Sequence, residues 1–517
     1  MYFVHDGQTF PSNGVAVADE GEAIVRKLFF PVLAATLLGT TTFAAIQRNV
    51  RDAPFGADAL LIQRLQVATP FQNNNGALPQ PGQYPGPLFT VNHGWPTRPL
   101  APLTDAPWQA AIGGGRITVA NAPAYAAALK AAVSANGRAL VVGHGTWNAA
   151  TAGWYNEPWL GSQREAISGT YQAGEFGPAI FPGTGLRTTF QTNVLTYYDA
   201  RAAATLNGFW GAPAMQPTLT ARAAQFDEGA IIVKAALFSS EDPGQPTGWW
   251  DALQGAASWP LFIGVGPSGA SPAPAPRVWP GYVAQFDIIV KDSQSAPDTG
   301  WVFMTLVYDP RAPGGDAWDK MVPLGVQWGN DPQATRAGMP LTQNWINPAA
   351  PLYSTQTLGW GGRLSGPNDG GRNDIEVNGV TQLNAPDSGC ISCHSTAEWD
   401  VKQHRMMSFL LPSIPTSSPP YFKLCGAGGN LICSPAPGSA AWMKWFQNRR
   451  GDVAMDAGSF GTDFDEVFSF KSLKLWWLAV GPKNQAMPQL KVQQVPGVSV
   501  RFNQYSGAPL RPAAALR

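Results

Sequence analysis

The chain has 517 residues, and its 34 basic and 34 acidic side chains give a net charge of zero at pH 7. A chain without net charge has no field that would attract nucleic acid or an anionic membrane surface, so neither is expected as a partner. Its 56 glycines, 47 prolines and 20 tryptophans indicate a loop-rich, β-leaning protein rather than a helical bundle, and its length favours two or more domains.

The first 45 residues have the composition of an export signal. Two basic residues precede an apolar run over residues 28–45 (LFFPVLAATLLGTTTFAA), which ends in small residues where a signal peptidase could cleave. The acidic lead before this run is unlike a signal peptide, so we place the true start of the protein near Val25. A membrane anchor is the alternative, but Pro31 and three successive threonines make a poor spanning helix. The predicted location is periplasmic or extracellular, with membrane contact only through this segment.

Residues 46–385 are predicted to form a β-rich domain with long loops. A short alanine-rich helix is predicted over residues 123–134, because Asn136-Gly137 is a typical helix end, and a strand is predicted to follow over 139–142. Three later segments are rich in β-branched and aromatic residues and predict strands of a packed antiparallel sheet: 230–238 (AIIVKAALF), 282–291 (YVAQFDIIVK) and 301–308 (WVFMTLVY).

From residue 386 the pattern changes toward helices. One helix is predicted to run from the cysteine pair at residue 390 to Leu411, where several prolines end it, and a short segment starts at Ser439. The last helix is the best marked, because Asp463 and Glu466 have capping-box spacing and apolar residues recur at helical intervals up to residue 480.

The expected fold class is therefore α+β. A β-rich domain is predicted to be followed by a mostly α-helical module over residues 386–481, and an irregular tail over residues 482–517 ends the chain.

The chemistry of the chain centres on the sequence Cys-Ile-Ser-Cys-His at residues 390–394. Residues three and four apart share a helix face, so Cys390 and Cys393 can bond to the two vinyl groups of one porphyrin while His394 reaches its iron. The pattern predicts one covalent haem c with His394 as the proximal iron ligand. A zinc site or a structural cysteine pair is the alternative, but zinc requires further cysteines or histidines at matching spacing.

The two remaining cysteines, Cys425 and Cys433, bracket a glycine-rich loop and are not followed by histidine. In an oxidising compartment they are predicted to form a small disulfide, and free thiols are the alternative.

The C-terminal module resembles class I cytochrome c. In that family a C-x-x-C-H helix comes first, a methionine in an extended loop binds the iron about sixty residues later, and a C-terminal helix packs across the haem edge. Met455 lies 61 residues after His394 and shortly before the last predicted helix, so the resemblance implies Met455 as the distal ligand. The chain departs from the family because no helix precedes Cys390 and no proline follows Met455. The other candidates for this position are Met406, Met407, His404 and Met487, or an open position.

A second resemblance is to the β-sheet cytochromes that oxidise hydroxylamine through a haem cross-linked to a lysine. It rests on a glycine-initiated strand that carries Lys234, a later strand that starts at Trp301, and Asp400 shortly after the C-x-x-C-H motif. This resemblance implies a five-coordinate iron and a cross-link to Lys234 or Lys291. Taken alone, Lys234 is predicted to be a lysine on an edge strand or facing solvent.

The expected function is an exported monohaem c-type cytochrome that transfers one electron at a time between a redox partner protein or small molecule and its haem. The alternative is a haem c oxidoreductase that acts on a small molecule such as hydroxylamine at an open distal iron site. A structural protein in which the haem is incidental is the third class, and the residues do not decide whether the chain is an enzyme.

Overall fold

The computed structural model describes residues 69–101, 103–240, 246–265, 274–369, 372–377, 380–386, 388–402, 404, 423–425, 431–433, 437–481, 501–502 and 509–510. The chain separates into two compact units, residues 1–48 and 49–517. The first unit, and with it the predicted export signal, lies outside the described residues.

The centre of the second unit is an eight-stranded antiparallel sheet. Its order is β1-β2-β3-β5-β6-β7-β8, and β4 pairs with the first half of the long strand β5. The predicted strands in the middle of the chain are confirmed as β3, β5 and β6. The strands are β1 Tyr171–Phe176, β2 Phe190–Tyr198, β3 Ile231–Ser240, β4 Ser258–Ile263, β5 Arg277–Lys291, β6 Trp301–Tyr308, β7 Met321–Gln327 and β8 Asn344–Ile346.

Both faces of this sheet are buried, which is why its central strands are apolar at nearly every position. One face packs against α2, the helix Ala122–Val141, whose residues Tyr125, Leu129 and Val133 join side chains such as Ile288 and Met304 in one core. The opposite face carries two further apolar clusters, and the polar site described below lies between them.

The predicted helix 123–134 is confirmed as part of a longer helix, Ala122–Val141, whereas the predicted strand 139–142 is wrong because the same helix covers it. Gly137 lies in its interior and is buried, since the Trp318 indole packs where a side chain would stand. The position next to Asn136 therefore requires a glycine because of close packing, and Gly137 does not end the helix. Local sequence cannot distinguish these two reasons for a glycine.

The predicted mostly α-helical, cytochrome c-like module over residues 386–481 is also wrong. The helix at the cysteine motif is limited to Cys390–His394, and the chain leaves it because strand β11, Glu398–Asp400, pairs with β14, Ser459–Gly461. The segment at Ser439 forms only the short helix Ala440–Met443, with the Ser439 hydroxyl accepting from the Trp442 amide. The predicted last helix exists as Val467–Leu473, which is a π-helix, continued by Lys474–Val480.

The other elements are short. The helices are α1 Pro107–Ala110, α2 as above, α3 Ala149–Ala152, α4 Ala200–Trp210, α5 Pro246–Trp249, α6 Leu352–Thr355, α7 Cys390–His394, α8 Ala440–Met443 and α9 Lys474–Val480. The 3-10 helices are His144–Thr146, Gly161–Gln163, Pro178–Ile180, Arg222–Ala224, Asp251–Leu253 and Trp360–Gly362. The outlying strands are β9 Arg372–Val377, β10 Val380–Pro386, β11 and β14 as above, β12 Lys423–Cys425, β13 Leu431–Cys433, β15 Arg501–Phe502 and β16 Pro509–Leu510.

The segment after residue 385 shares its core with the β-rich part of the chain. Ile391, Trp399 and Phe468 pack in the same cluster as Trp210 of α4 and Phe303 of β6. The cysteine motif is therefore held against the main sheet. None of the helices in the described part of the chain is both long enough and apolar enough to span a membrane.

Replacing Gly137 by alanine should lower the free energy of unfolding by about 1–3 kcal/mol, because the added methyl group overlaps the Trp318 indole. Gly208 in α4 is a matched control, since the described structure leaves open space around it. Gly208→Ala should raise the free energy of unfolding by up to about 1 kcal/mol, the ordinary gain in helix propensity. Chemical denaturation measures both, and equal effects of the two substitutions would contradict this packing.

Candidate functional site

A cavity of about 190 Å³ lies on the face of the sheet opposite α2. Strands β1, β2, β3, β5 and β6 form one wall, and the motif helix α7 and residues 463–471 form the other. The cavity lies between the two apolar clusters of this face. Side chains from segments far apart in sequence therefore meet at one place.

The three predicted haem-binding residues, Cys390, Cys393 and His394, all line this cavity. Their helix is tied to the sheet side by its backbone, since the Cys390 amide donates to the Leu364 carbonyl (2.8 Å) and the Ile391 amide to Gln327 Oε1 (3.1 Å). Neither of the two motif cysteines forms a disulfide. The three motif side chains therefore lie on one wall of the cavity.

Both motif thiols are in an environment that disfavours the thiolate. Burial raises the pKa of Cys390 well above its usual value, and the carboxylates of Asp369 and Asp287 add to the effect. Burial also raises the pKa of Cys393 well above its usual value, and the Cys393 thiol donates to Glu466 Oε1 (3.2 Å). A zinc site needs thiolate ligands and benefits from nearby positive charge. Within the described ranges, no group of three or more histidine, cysteine, aspartate and glutamate side chains is arranged to hold a metal ion.

The His394 ring is held in one tautomer. Its Nδ1 lies 2.7 Å from the Phe464 carbonyl oxygen, which can only accept, so Nδ1 carries the proton. In the neutral ring the lone pair is then on the other nitrogen, Nε2. The Phe303 ring packs on the imidazole with centroids 4.8 Å apart, which restricts ring rotation. This is the arrangement that a metal-binding histidine requires.

The carbonyl that accepts from His394 belongs to a turn of unusual backbone conformation. Asp463 and Phe464 have φ values of 52° and 67°, in the left-handed region that residues with side chains rarely adopt. The Asp463 carboxylate is fully buried and accepts hydrogen bonds from Lys291 Nζ (2.6 Å) and Trp301 Nε1 (2.8 Å). The predicted capping box of Asp463 and Glu466 is therefore wrong, because both carboxylates have other partners. Asp465 caps the helix instead, accepting from the Phe468 amide (3.1 Å).

A polar row crosses four adjacent strands beneath the cavity. Thr196, Lys234, Asp287 and Thr305 stand opposite one another in the strand register. Lys234 Nζ donates to Asp287 Oδ2 (2.8 Å) and to Asp369 Oδ1 (2.7 Å). Burial alone would lower the pKa of Lys234, but the two carboxylates raise it well above its usual value. Lys234 is thus a permanent cation on a central strand, and the prediction of an edge or solvent-facing lysine is wrong.

The other predicted candidates lie elsewhere. Lys291 is not among the described residues that line the cavity, and its ammonium group pairs with Asp463. Met455 is likewise not a lining residue but packs against the cluster of Trp360, Trp442, Met443, Trp445 and Phe446. His404 stacks on Trp477 with ring centroids 3.3 Å apart. Met406, Met407 and Met487 lie outside the described residues.

Cys425 and Cys433 lie in the paired strands β12 and β13, where Cys425 stands opposite Leu431 and Cys433 opposite Lys423. Their side chains lie outside the described part of the structure, so the disulfide stays a prediction.

Sequence reasoning missed the carboxylates that complete the site. Asp369, Asp287 and Glu466 line the cavity together with the motif. One signal was available, since a lysine and an aspartate inside apolar strand segments are costly unless they pair. Lys234 and Asp287 are those two residues. Their partner Asp369 lies in a loop, where the local sequence carries no comparable signal.

The donor set fits a covalent haem c better than a bare metal. Two neutral thiols and an imidazole with a free Nε2 lie on one wall, and the aromatic rings of Phe303, Phe464 and Phe470 are among the other lining groups. Comparison with protein-family models, with curated proteins and with solved structures finds no match to this chain.

The loop that carries Met455 is held by a buried carboxylate next to the motif. Glu398 of β11 accepts from the Met455 amide (2.7 Å) and the Asp456 amide (3.0 Å) through Oε2. Burial raises the pKa of Glu398 to about 8, and the neighbouring Asp456 carboxylate adds to the effect. Asp456 itself pairs with Lys444 Nζ (2.7 Å). Glu398 is therefore protonated in the folded protein near neutral pH.

This protonation predicts a loss of stability as the pH rises. Between the usual pKa of a glutamate and about 8, the folded state binds a proton that the unfolded state has released, so the free energy of unfolding falls with pH. Glu398→Gln keeps the neutral hydrogen-bonding side chain. We expect it to reduce the fall in unfolding free energy between pH 5.5 and 7.5 by up to about 3 kcal/mol.

Urea denaturation at both pH values measures this effect. Asp227→Asn, at an exposed position, is the control and should leave the pH dependence of the wild type unchanged. If Glu398→Gln and the wild type lose stability in parallel over this range, Glu398 does not hold a proton in the folded state.

Proposed function

We propose that this chain is an exported monohaem c-type cytochrome, whose haem is bonded to Cys390 and Cys393 and ligated by His394. The observation that carries the proposal is that these three side chains line one cavity while the Phe464 carbonyl fixes His394 with Nε2 free. The periplasm or extracellular space remains the proposed location, because covalent haem attachment and the apolar run at residues 28–45 both point to export.

When bound, haem c supplies one-electron redox chemistry. The residues of the chain bind and orient it. The two thiols provide the covalent attachment, and the Phe464 carbonyl holds the proton on His394 Nδ1. The Phe303 ring packs on one side of the imidazole, with the ring centroids 4.8 Å apart. A redox partner protein or a small electron donor or acceptor is the proposed partner.

The test of haem attachment is the intact mass of the protein exported from a host that can attach haem c. The wild type should exceed its polypeptide mass by one haem group, and Cys390→Ala/Cys393→Ala should not, because both thioether bonds are lost. The other cysteine pair is a matched control, since Cys425→Ala/Cys433→Ala removes the same atoms and should retain the haem. A wild-type protein with only its polypeptide mass would falsify the proposal.

A second candidate function is oxidation of a small molecule at an open distal iron site. It is supported by the residues of the cavity. Among the described lining residues His394 supplies the only imidazole, and the one methionine, Met304, has its side chain in the core on the α2 side of the sheet. Lys234 lines the cavity, as the resemblance to the lysine-cross-linked cytochromes implies. These observations favour an open position over ligation by Met455.

Cyanide titration of the ferric holoprotein separates the two candidates. With an open site, the wild type should bind cyanide readily and Met455→Leu should bind it to the same extent. If Met455 is the distal ligand, the wild type should resist cyanide and Met455→Leu should gain binding. Absorbance in the haem Soret region is the measurement, and the second outcome would support the electron carrier against the oxidoreductase.

A further inference from the structure

We infer that Asp463 is a positioning residue for His394 and that, with Lys291 and Trp301, it sets the balance between ferric and ferrous haem. The inference rests on the proposed function, because it assigns a role toward a haem held by His394. Asp463 and Trp301 line the same cavity as His394, whereas Lys291 is not among its described lining residues. Asp463 acts through the Phe464 carbonyl, which accepts the hydrogen bond from His394 Nδ1.

The backbone of the turn has an uncommon conformation. Asp463 and Phe464 both have positive φ, which is unfavourable for residues with a Cβ, so the conformation persists only where the surroundings impose it. Neither residue is a glycine that would adopt it freely. The turn points the Phe464 carbonyl oxygen at the imidazole, 2.7 Å from Nδ1.

Hydrogen bonds to the Asp463 carboxylate impose this conformation. Three groups from separate parts of the sheet donate to the Asp463 carboxylate: Lys291 Nζ from the end of β5, Trp301 Nε1 from the start of β6, and the Phe226 amide (2.8 Å) from the loop before β3. The carboxylate is fully buried, and Lys291 is nearly so. Two strand ends and the loop before β3 therefore fix the turn relative to the main sheet.

The close approach of Gly451 strengthens the anchor. The Asp463 amide donates to the Gly451 carbonyl (3.1 Å), and a Cβ on Gly451 would overlap the Asp463 carboxylate. The loop before β14 therefore closes over the turn and excludes water from the ion pair. An ion pair that is shielded from water is strong, and therefore removing one partner is costly.

The anchor would act on the iron through the His394 ring. A hydrogen bond from Nδ1 to a fixed carbonyl raises the basicity of Nε2 and holds the ring in one orientation. A more basic ligand stabilises ferric over ferrous iron. A turn that is free to move would weaken the Nδ1 hydrogen bond and shift the balance toward ferrous haem.

The experiment is the reduction potential of the holoprotein. Asp463→Asn should favour the ferrous form by at least tenfold, which corresponds to a rise of 59 mV for a one-electron couple. Asp452→Asn is the matched control, because Asp452 lies in the loop before β14 that closes over the turn but has a side chain 55% exposed, and the potential of this variant should equal that of the wild type. A folded Asp463→Asn holoprotein with the wild-type potential would overturn the inference.

Asp463→Asn leaves the Lys291 charge buried without its partner, and the variant could fail to fold for that reason. A second variant tests the inference in that case. Lys291→Gln/Asp463→Asn removes both charges and retains two polar side chains. It should show the same tenfold shift toward ferrous haem, and an unchanged potential in this variant would equally overturn the inference.

A haem-free measurement separates this inference from the proposed function. In Cys390→Ala/Cys393→Ala protein, ¹⁵N NMR of the His394 ring should report the Nδ1–H tautomer, and adding Asp463→Asn should decrease its population. An unchanged population contradicts the role of Asp463. A wild type without haem contradicts the proposed function and leaves this tautomer measurement as the test of Asp463.

Discussion

The hydrogen bond from His394 Nδ1 to the Phe464 carbonyl joins the two parts of the chain that form the site. It connects the motif helix to a turn 70 residues later in the sequence. The Asp463 carboxylate fixes this turn to β5 and β6. Hydrogen bonds therefore join the sheet, the turn and the motif, and the role inferred for Asp463 makes the position of the imidazole depend on the Lys291–Asp463 ion pair.

The same sheet has to bury charge to build the cavity. Lys234 and Asp287 face each other on central strands between two apolar clusters, where an unpaired charge would be strongly destabilising. Asp369 supplies the second carboxylate, and Gln285 Nε2 donates to both carboxylates at 2.9–3.2 Å. Each charged group of this network therefore has hydrogen-bond partners, and one side of the polar row lines the cavity. A polar floor of this kind is expected where a sheet serves a ligand rather than a core alone.

The C-x-x-C-H motif lies here against an antiparallel sheet and not in the helical fold that the resemblance to class I cytochrome c implies. A C-x-x-C-H motif needs only one helical turn to place two thiols and an imidazole on one face, and Cys390–His394 is hardly longer than that turn. In this chain the remaining walls come from an antiparallel sheet, the turn at Asp463 and residues of the π-helix Val467–Leu473. The motif thus predicts the cofactor independently of the fold, whereas the expectation of a helical module followed from the capping and periodicity patterns after residue 385.

The amino-acid sequence alone was sufficient for features that depend on near neighbours. The motif at residues 390–394 and the strands β3, β5 and β6 could be predicted, because helix-face spacing and runs of β-branched residues act over a few residues. Asp463 has capping-box spacing and Gly137 has the appearance of a helix end, but both are used in contacts with distant residues. The cost of burying Lys234 and Asp287 in apolar strands is a signal in the sequence, but their partner Asp369 lies in a loop and is identified only in the fold.

Only the tertiary structure decided where the motif helix ends, which carboxylates face the cavity and what holds His394. Each of these depends on pairs separated by dozens of residues or more, such as β11 with β14 and Lys291 with Asp463. The free energy of such a pair comes from burial and from the exclusion of water around it. Neither exists until the chain has folded, and therefore no local pattern records them.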